Sequence, residues 1–212
     1  FLAFLIFCKT RNKSITKPDM KDFSSPIFHV MGNKLWFKDS FYSMCDQLLA
    51  EKDIETTLDL FGGSGVLTGY IQDYCYKNSL NLESRYNDLD KNKHNFFKQL
   101  TTSPKELERK CRKLLETYDY YNDKGDIESI LKLKENAESL MNQKGLHAAA
   151  AFWYVNTTNQ NGNVNKQKCK SLEEFVYASE LYKKVIFEQS DALYRLDKWY
   201  DNENAFIIVD PP

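Results

Sequence analysis

Thr56-Thr57-Leu58-Asp59-Leu60-Phe61-Gly62-Gly63-Ser64-Gly65 is the stretch on which the fold turns. The run up to Phe61 is short and β-prone, and glycines then punctuate it. A β-prone run bounded by glycine reads as a strand ending in a turn. Residues 66–77 follow with helical character, and residues 83–87 read as a second strand ending in Asp88. Strand, glycine turn, helix, strand and acid make one βαβ unit. The alternation returns near residue 212: a strand at 185–187, a helix at 191–200 and a strand at 205–209 that runs into Asp210-Pro211-Pro212.

Working outward, residues 34–50 place apolar side chains at Leu35, Phe37, Phe41, Met44, Leu48 and Leu49, a spacing that predicts an amphipathic helix. Residues 91–144 are mostly charged with helical periodicity. Ser103 before Pro104 marks one helix start, and Asp126 with Ser129 marks another. Residues 146–155 form an apolar run, and residues 156–167, rich in Asn, Thr and Gly, read as a loop or hairpin. Ser171 and Glu174 open a further helix in capping-box fashion. Alternation at both ends around a helical middle predicts an α/β fold, a parallel sheet carrying an inserted subdomain. The sheet domain is expected over residues 26–100 and 171–212, the insert over 101–170, and an arm outside the fold over 1–25.

With 42% hydrophobic and 28% charged residues, the chain suits a globular domain rather than a disordered tail. The net charge of −1 lacks the basic bias of a nucleic-acid binder, so any such binding has to rest on a local patch. Lys105, Arg109, Lys110, Arg112 and Lys113 lie in one predicted helix, but Glu106, Glu108 and Glu116 balance them; a solvated face reads at least as well as a phosphate-binding one. Cys8, Cys45, Cys75, Cys111 and Cys169 show no C-x-x-C pair, which argues against a zinc site or disulfide framework and for a reducing cytoplasm. His29, His94 and His147 have no ligand spacing, and no metal is expected. The apolar residues 1–8 fall short of the about 20 needed to cross a bilayer, so no membrane role is expected. A chain opening on Phe1 reads as a fragment, or as a frame read upstream of a start at Met20.

Two places invite chemistry. Glycines in a turn between strand and helix let the backbone approach a ligand closely, and an acid such as Asp88 at the next strand end suits ribose hydroxyls. The pattern is neither G-x-G-x-x-G nor a P-loop, and on its own it is also what a plain tight turn looks like. The second place is Phe206-Ile207-Ile208-Val209-Asp210-Pro211-Pro212: a continuous apolar run suits a buried parallel strand, and the prolines force a rigid turn at its carboxyl end. Ligands bind at that end of open α/β sheets.

Asp59-Leu60-Phe61-Gly62-Gly63-Ser64-Gly65 resembles motif I of S-adenosylmethionine-dependent methyltransferases, in particular the Dam-like adenine-N6 DNA methyltransferases. Asn87-Asp88-Leu89-Asp90 is similar to that family's Asn-Asp-Ile-Asp segment, and Met31-Gly32-Asn33-Lys34 to its Gly-Asn-Lys segment, with Val30 where an aromatic often stands. Residues 150–162 resemble its Phe-x-Tyr-Leu-Asn-x-Thr-x-Phe-Asn-Gly run, matching at Asn156, Thr158, Asn161 and Gly162 and departing at Gln160. Asp210-Pro211-Pro212 matches the start of its Asp-Pro-Pro-aromatic motif, with the aromatic falling at the next position.

The resemblance implies a partial Rossmann-like methyltransferase sheet with a mostly helical target-recognition insert, using S-adenosyl-L-methionine on double-stranded DNA in the cytoplasm. It implies cofactor contacts from Lys34, Asp59, Phe61, Gly62, Gly65, Asp88 and Asp191, with Asp191 facing the cofactor's adenine. DNA contacts come from Asn156, Thr158, Asn161 and Gly162, and catalysis from Asp210, Pro211 and Pro212. A monomer is expected, with a restriction endonuclease encoded nearby as the partner enzyme. The exocyclic amine of adenine is a poor nucleophile because its lone pair is delocalised. A carboxylate and a backbone carbonyl accepting its N–H protons favour the attacking form, by positioning and electrostatics. Two other readings stay open: an amine methyltransferase acting on RNA or protein, and a non-catalytic truncated fragment.

Overall fold

A computed structural model describes residues 37–49, 53–165 and 172–211. By internal contact these residues fall into two units, one formed by 37–89 with 184–211, the other by 90–183. In the first unit, four strands build one parallel sheet: β1 (Thr56–Asp59), β2 (Glu83–Asn87), β3 (Ile186–Glu188) and β4 (Ala205–Ile208). Their order is β3-β2-β1-β4. The register sets Thr56 beside both Glu83 and Ala205, and Asp59 beside both Tyr86 and Ile208. All four carboxyl ends therefore lie on one edge of the sheet.

Three helices belong to this unit. Helix α1 (Lys38–Leu48) lies inside the expected span and buries Phe41, Cys45 and Leu48. Helix α2 (Val66–Lys77) begins where the glycine turn ends. The two dock through aromatic edges, Phe41 and Tyr42 on Tyr70 and Tyr42 on Tyr74, and through two hydroxyl–carboxylate bonds, Tyr42 to Asp73 and Tyr74 to Asp46 (2.7 Å). Helix α8 (Ala192–Trp199) joins β3 to β4; Asp191 caps it by accepting the N–H groups of Leu193 (2.9 Å) and Tyr194 (3.1 Å). Central strand β1 is buried along its whole length, as a sheet covered on both faces requires.

The second unit is helical: α3 (Lys91–Thr102), α4 (Pro104–Asp123), α5 (Ile127–Met141), α6 (Leu146–Thr157) and α7 (Leu172–Tyr182). The apolar run at 146–155 becomes helix α6, buried continuously from Ala148 to Tyr154, because a helix apolar all round has to be enclosed. It packs against α3, α4 and α5, with Phe152 on Phe96 and Trp153 on Phe175. The helix starts behave differently from one another. Asp126 caps α5 through the Ser129 N–H (3.0 Å), as expected, whereas Ser103 precedes Pro104 of α4 without a side-chain cap bond. Ser171 of the expected capping box lies outside the described residues, as does the N-terminal arm.

Among the described residues no helix is long and apolar enough to cross a membrane. Cys45, Cys75 and Cys111 are buried.

Candidate functional site

The strand order fixes where a ligand site is to be sought. From β1 the chain steps to β2 and β3, then crosses back to the other side of β1 to lay down β4. At such a reversal, the loops leaving neighbouring strands diverge and leave a crevice at the carboxyl edge. The strands on either side of this one are β1 and β4, followed respectively by the glycine turn and by Asp210-Pro211.

The turn is tightly held. Gly63 and Gly65 have positive φ, 55° and 77°, which other residues adopt only with strain. At Gly62 the reason for glycine is space, since a Cβ there would run into the Tyr86 ring. The Gly62 N–H donates to the Asn87 carbonyl (2.8 Å), and the Tyr86 hydroxyl donates to the Gly63 carbonyl (2.8 Å). On its far side, the Leu60 N–H donates to the Ile208 carbonyl (3.1 Å), two residues before Asp210.

Three carboxyl groups meet at this edge. Asp88 accepts the Gly63 N–H (2.9 Å), so the acid after β2 is fastened to the turn after β1. Asp59 is 3% exposed; one oxygen accepts the Thr68 hydroxyl (2.9 Å) and the other, Oδ1, has no partner. Burial pushes its carboxyl up to about 7; the Asp210 and Asp88 charges push the same way, while Thr68 and the Phe61 N–H oppose. Asp88 and Asp210 thus each lie close enough to Asp59 for their charge to bear on it. Carboxylates at such an edge suit a ligand with cationic groups and a diol.

The remaining expected residues distribute as follows. Asp191 stands at the same edge, after β3, but its carboxylate is engaged in capping α8. Lys34 and Pro212 lie outside the described residues. Asn156, Thr158, Asn161 and Gly162 belong to the helical unit. Asn156 lies within α6, and its amide donates to the Phe152 carbonyl (2.8 Å). The Thr158 hydroxyl donates to the Val155 carbonyl (2.9 Å). Thr158 also bridges to Val164, closing a short hairpin whose tip is set by Asn159, which accepts the N–H groups of Asn161 and Asn163. The expected loop or hairpin therefore begins two residues later than 156, since Asn156 and Thr157 remain helical. Lys134 of α5 steadies the tip by donating to the Asn159 and Gln160 carbonyls (3.0 and 3.2 Å).

In α4, Arg109 pairs with Glu106 (3.3 Å) and Arg112 with Glu108, and Lys110 meets His147 (2.9 Å). Those pairs favour the balanced, solvated face over a dedicated phosphate strip.

Sequence reasoning passed over the residue that knits the edge together. Asn87 is fully buried, and its carboxamide reaches both the glycine turn and the loop after β3. Its place before Asp88 is the only sign of this in the sequence, because the partners in the β3 loop are 103 residues away. Comparison with models of known protein families and with curated proteins returns no match for this chain.

Proposed function

We propose that the chain is the cofactor-binding and catalytic part of an adenine-N6 DNA methyltransferase that uses S-adenosylmethionine. The observation that carries this reading is the convergence, on one edge of a β3-β2-β1-β4 parallel sheet, of the glycine turn, Asp88 and Asp210. A Rossmann-like sheet binds its ligand at such a reversal, and the residues at this edge are the ones whose sequence resembles the methyltransferase motifs.

The bound cofactor supplies an activated methyl group on sulfur. The chain's own residues do the rest. The glycine turn offers backbone close to the methionine part, and Asp88 faces the ribose. Asp59 beneath the turn, protonated up to about pH 7 in the free chain, gives up its proton and becomes charged when the cationic end lies beside it. Asp210, held in extended backbone by the proline that follows it, accepts a hydrogen bond from one N–H of the adenine amine, and the Pro211 carbonyl accepts one from the other. That pair orients the amine's lone pair toward the methyl group. As the N–C bond forms and the S–C bond breaks, the one proton released leaves by way of the Asp210 carboxylate. A base in a duplex has to leave the stack to reach such a site. The hairpin at 158–164 and Asn156 are the proposed DNA contacts.

Tritiated S-adenosylmethionine with duplex DNA, followed by nucleoside analysis, tests the reading. Label is expected in N6-methyladenine, and Asp210→Ala is expected to cut turnover by about 10² to 10³-fold while leaving cofactor affinity nearly unchanged. Label appearing in RNA or protein instead would move the substrate assignment to the corresponding amine methyltransferase. No cofactor binding at all would remove the enzyme reading.

A further inference from the structure

The carboxamide of Asn87 has two N–H donors and an oxygen that accepts two bonds. All are used. Nδ2 donates to the Leu60 carbonyl (3.1 Å), at the start of the glycine turn, and to the Ser190 carbonyl (3.0 Å), in the loop after β3. Oδ1 accepts both the Ser190 N–H (3.1 Å) and the Ser190 hydroxyl (2.9 Å). Its own backbone carbonyl accepts the Gly62 N–H (2.8 Å).

The network continues outward. Arg195 of α8 donates to the Ser190 hydroxyl oxygen (2.7 Å) and pairs with Glu188 (3.2 Å), which also pairs with Arg85 of β2 (2.9 Å). Arg85 in turn lies over the Trp199 ring (5.0 Å). One buried side chain thus ties together the segments that leave β1, β2 and β3.

We infer that Asn87 is a positioning residue that locks the glycine turn and the β3 loop into one rigid wall of the cofactor site. This rests on the reading proposed above. A saturated carboxamide has no bond left for a ligand, so its effect passes through Leu60, Gly62 and Ser190. Aspartate is the closest change in shape, yet it sets an acceptor oxygen in place of Nδ2 against the Leu60 and Ser190 carbonyls. At low pH the introduced carboxyl takes up a proton and regains one donor, and with it part of the lock. A buried network of this sort loses more than one bond's worth when half satisfied.

The test compares three chains for binding of S-adenosylhomocysteine by calorimetry, at a temperature where circular dichroism shows each one folded. They are the parent, Asn87→Asp, and Thr57→Val as a control. The control removes a buried hydroxyl bond to Ser84 (2.9 Å) in the same sheet, away from the carboxyl edge. Asn87→Asp is expected to bind at least about tenfold more weakly at pH 8, a misplacement of only about 1.4 kcal/mol sufficing, and to recover affinity at pH 5.5 relative to the parent. Thr57→Val is expected to keep the parent's affinity whatever its melting temperature. Parent-like affinity in folded Asn87→Asp overturns the inference and leaves the proposed function standing. So does a loss that Thr57→Val shares in proportion to its lowered melting temperature. A parent chain that binds nothing overturns both.

Discussion

At the scale of single residues, the proposed chemistry concentrates in three carboxyl groups at one sheet edge, of which the fold keeps Asp59 out of water. Asp59 shows the cost most clearly. Its carboxyl is raised from the ordinary 3.8 to about 7, first by burial and then by Asp210 and Asp88. Below pH 3.8 both folded and unfolded chains hold this proton. Between there and about 7 the folded chain still holds it while the unfolded chain has lost it, so stability falls as pH rises through that window. The slope is at most about 1.4 kcal/mol per pH unit. Asp59→Asn removes the titration, so urea denaturation at pH 5 and pH 8 is expected to show a smaller fall for the variant than for the parent. Equal falls in both would mean that Asp59 is not the buried titrating group. A cationic ligand at this edge would offset the same penalty, which links the instability to the proposed use of the site.

At the scale of elements, the β1–turn–α2–β2 unit was legible because its signals are local. Glycine punctuation, a switch of period and an acid at a strand end all lie within about thirty residues, and α2 runs over the residues expected of it. The β3–α8–β4 segment was legible for the same reason. Less legible was the boundary of the hairpin, where Asn156 and Thr157 continue α6 although Asn and Thr favour loops, because the apolar helix before them is buried and carries them along. The hairpin's seat is a matter of contact rather than propensity. Gly162 has φ of 77°, and a Cβ there would lie 2.9 Å from Cγ2 of Ile130 on α5. Gly162→Ala is therefore expected to lower stability by about 1–2 kcal/mol through strain and crowding. It should also weaken duplex-DNA binding, read by fluorescence anisotropy, while cofactor affinity stays at the parent value. Unchanged DNA binding in the folded variant would take the hairpin out of the proposed DNA contacts.

At the scale of the whole molecule, strand order was the part that the sequence left open. A four-stranded parallel sheet follows from alternation, but the return of the chain across β1 to place β4 depends on pairing between residues about 150 positions apart. That return brings Asp210 beside the glycine turn, and Asn87 then joins the turn to the third strand's loop, itself a long way off along the chain. The division into a sheet unit and a helical unit likewise assigns α3 and α7 to the helical one by contact, which no local signal encodes. The account's central claim is that the sheet's carboxyl edge, and not the helical unit, holds the methyl donor. Titrating S-adenosylhomocysteine into the ¹⁵N-labelled protein and following amide shifts tests it directly. The largest changes are predicted at Gly62, Gly63, Gly65, Asp88 and Asp210, and saturable changes confined to residues 90–183, or none at all, would contradict it.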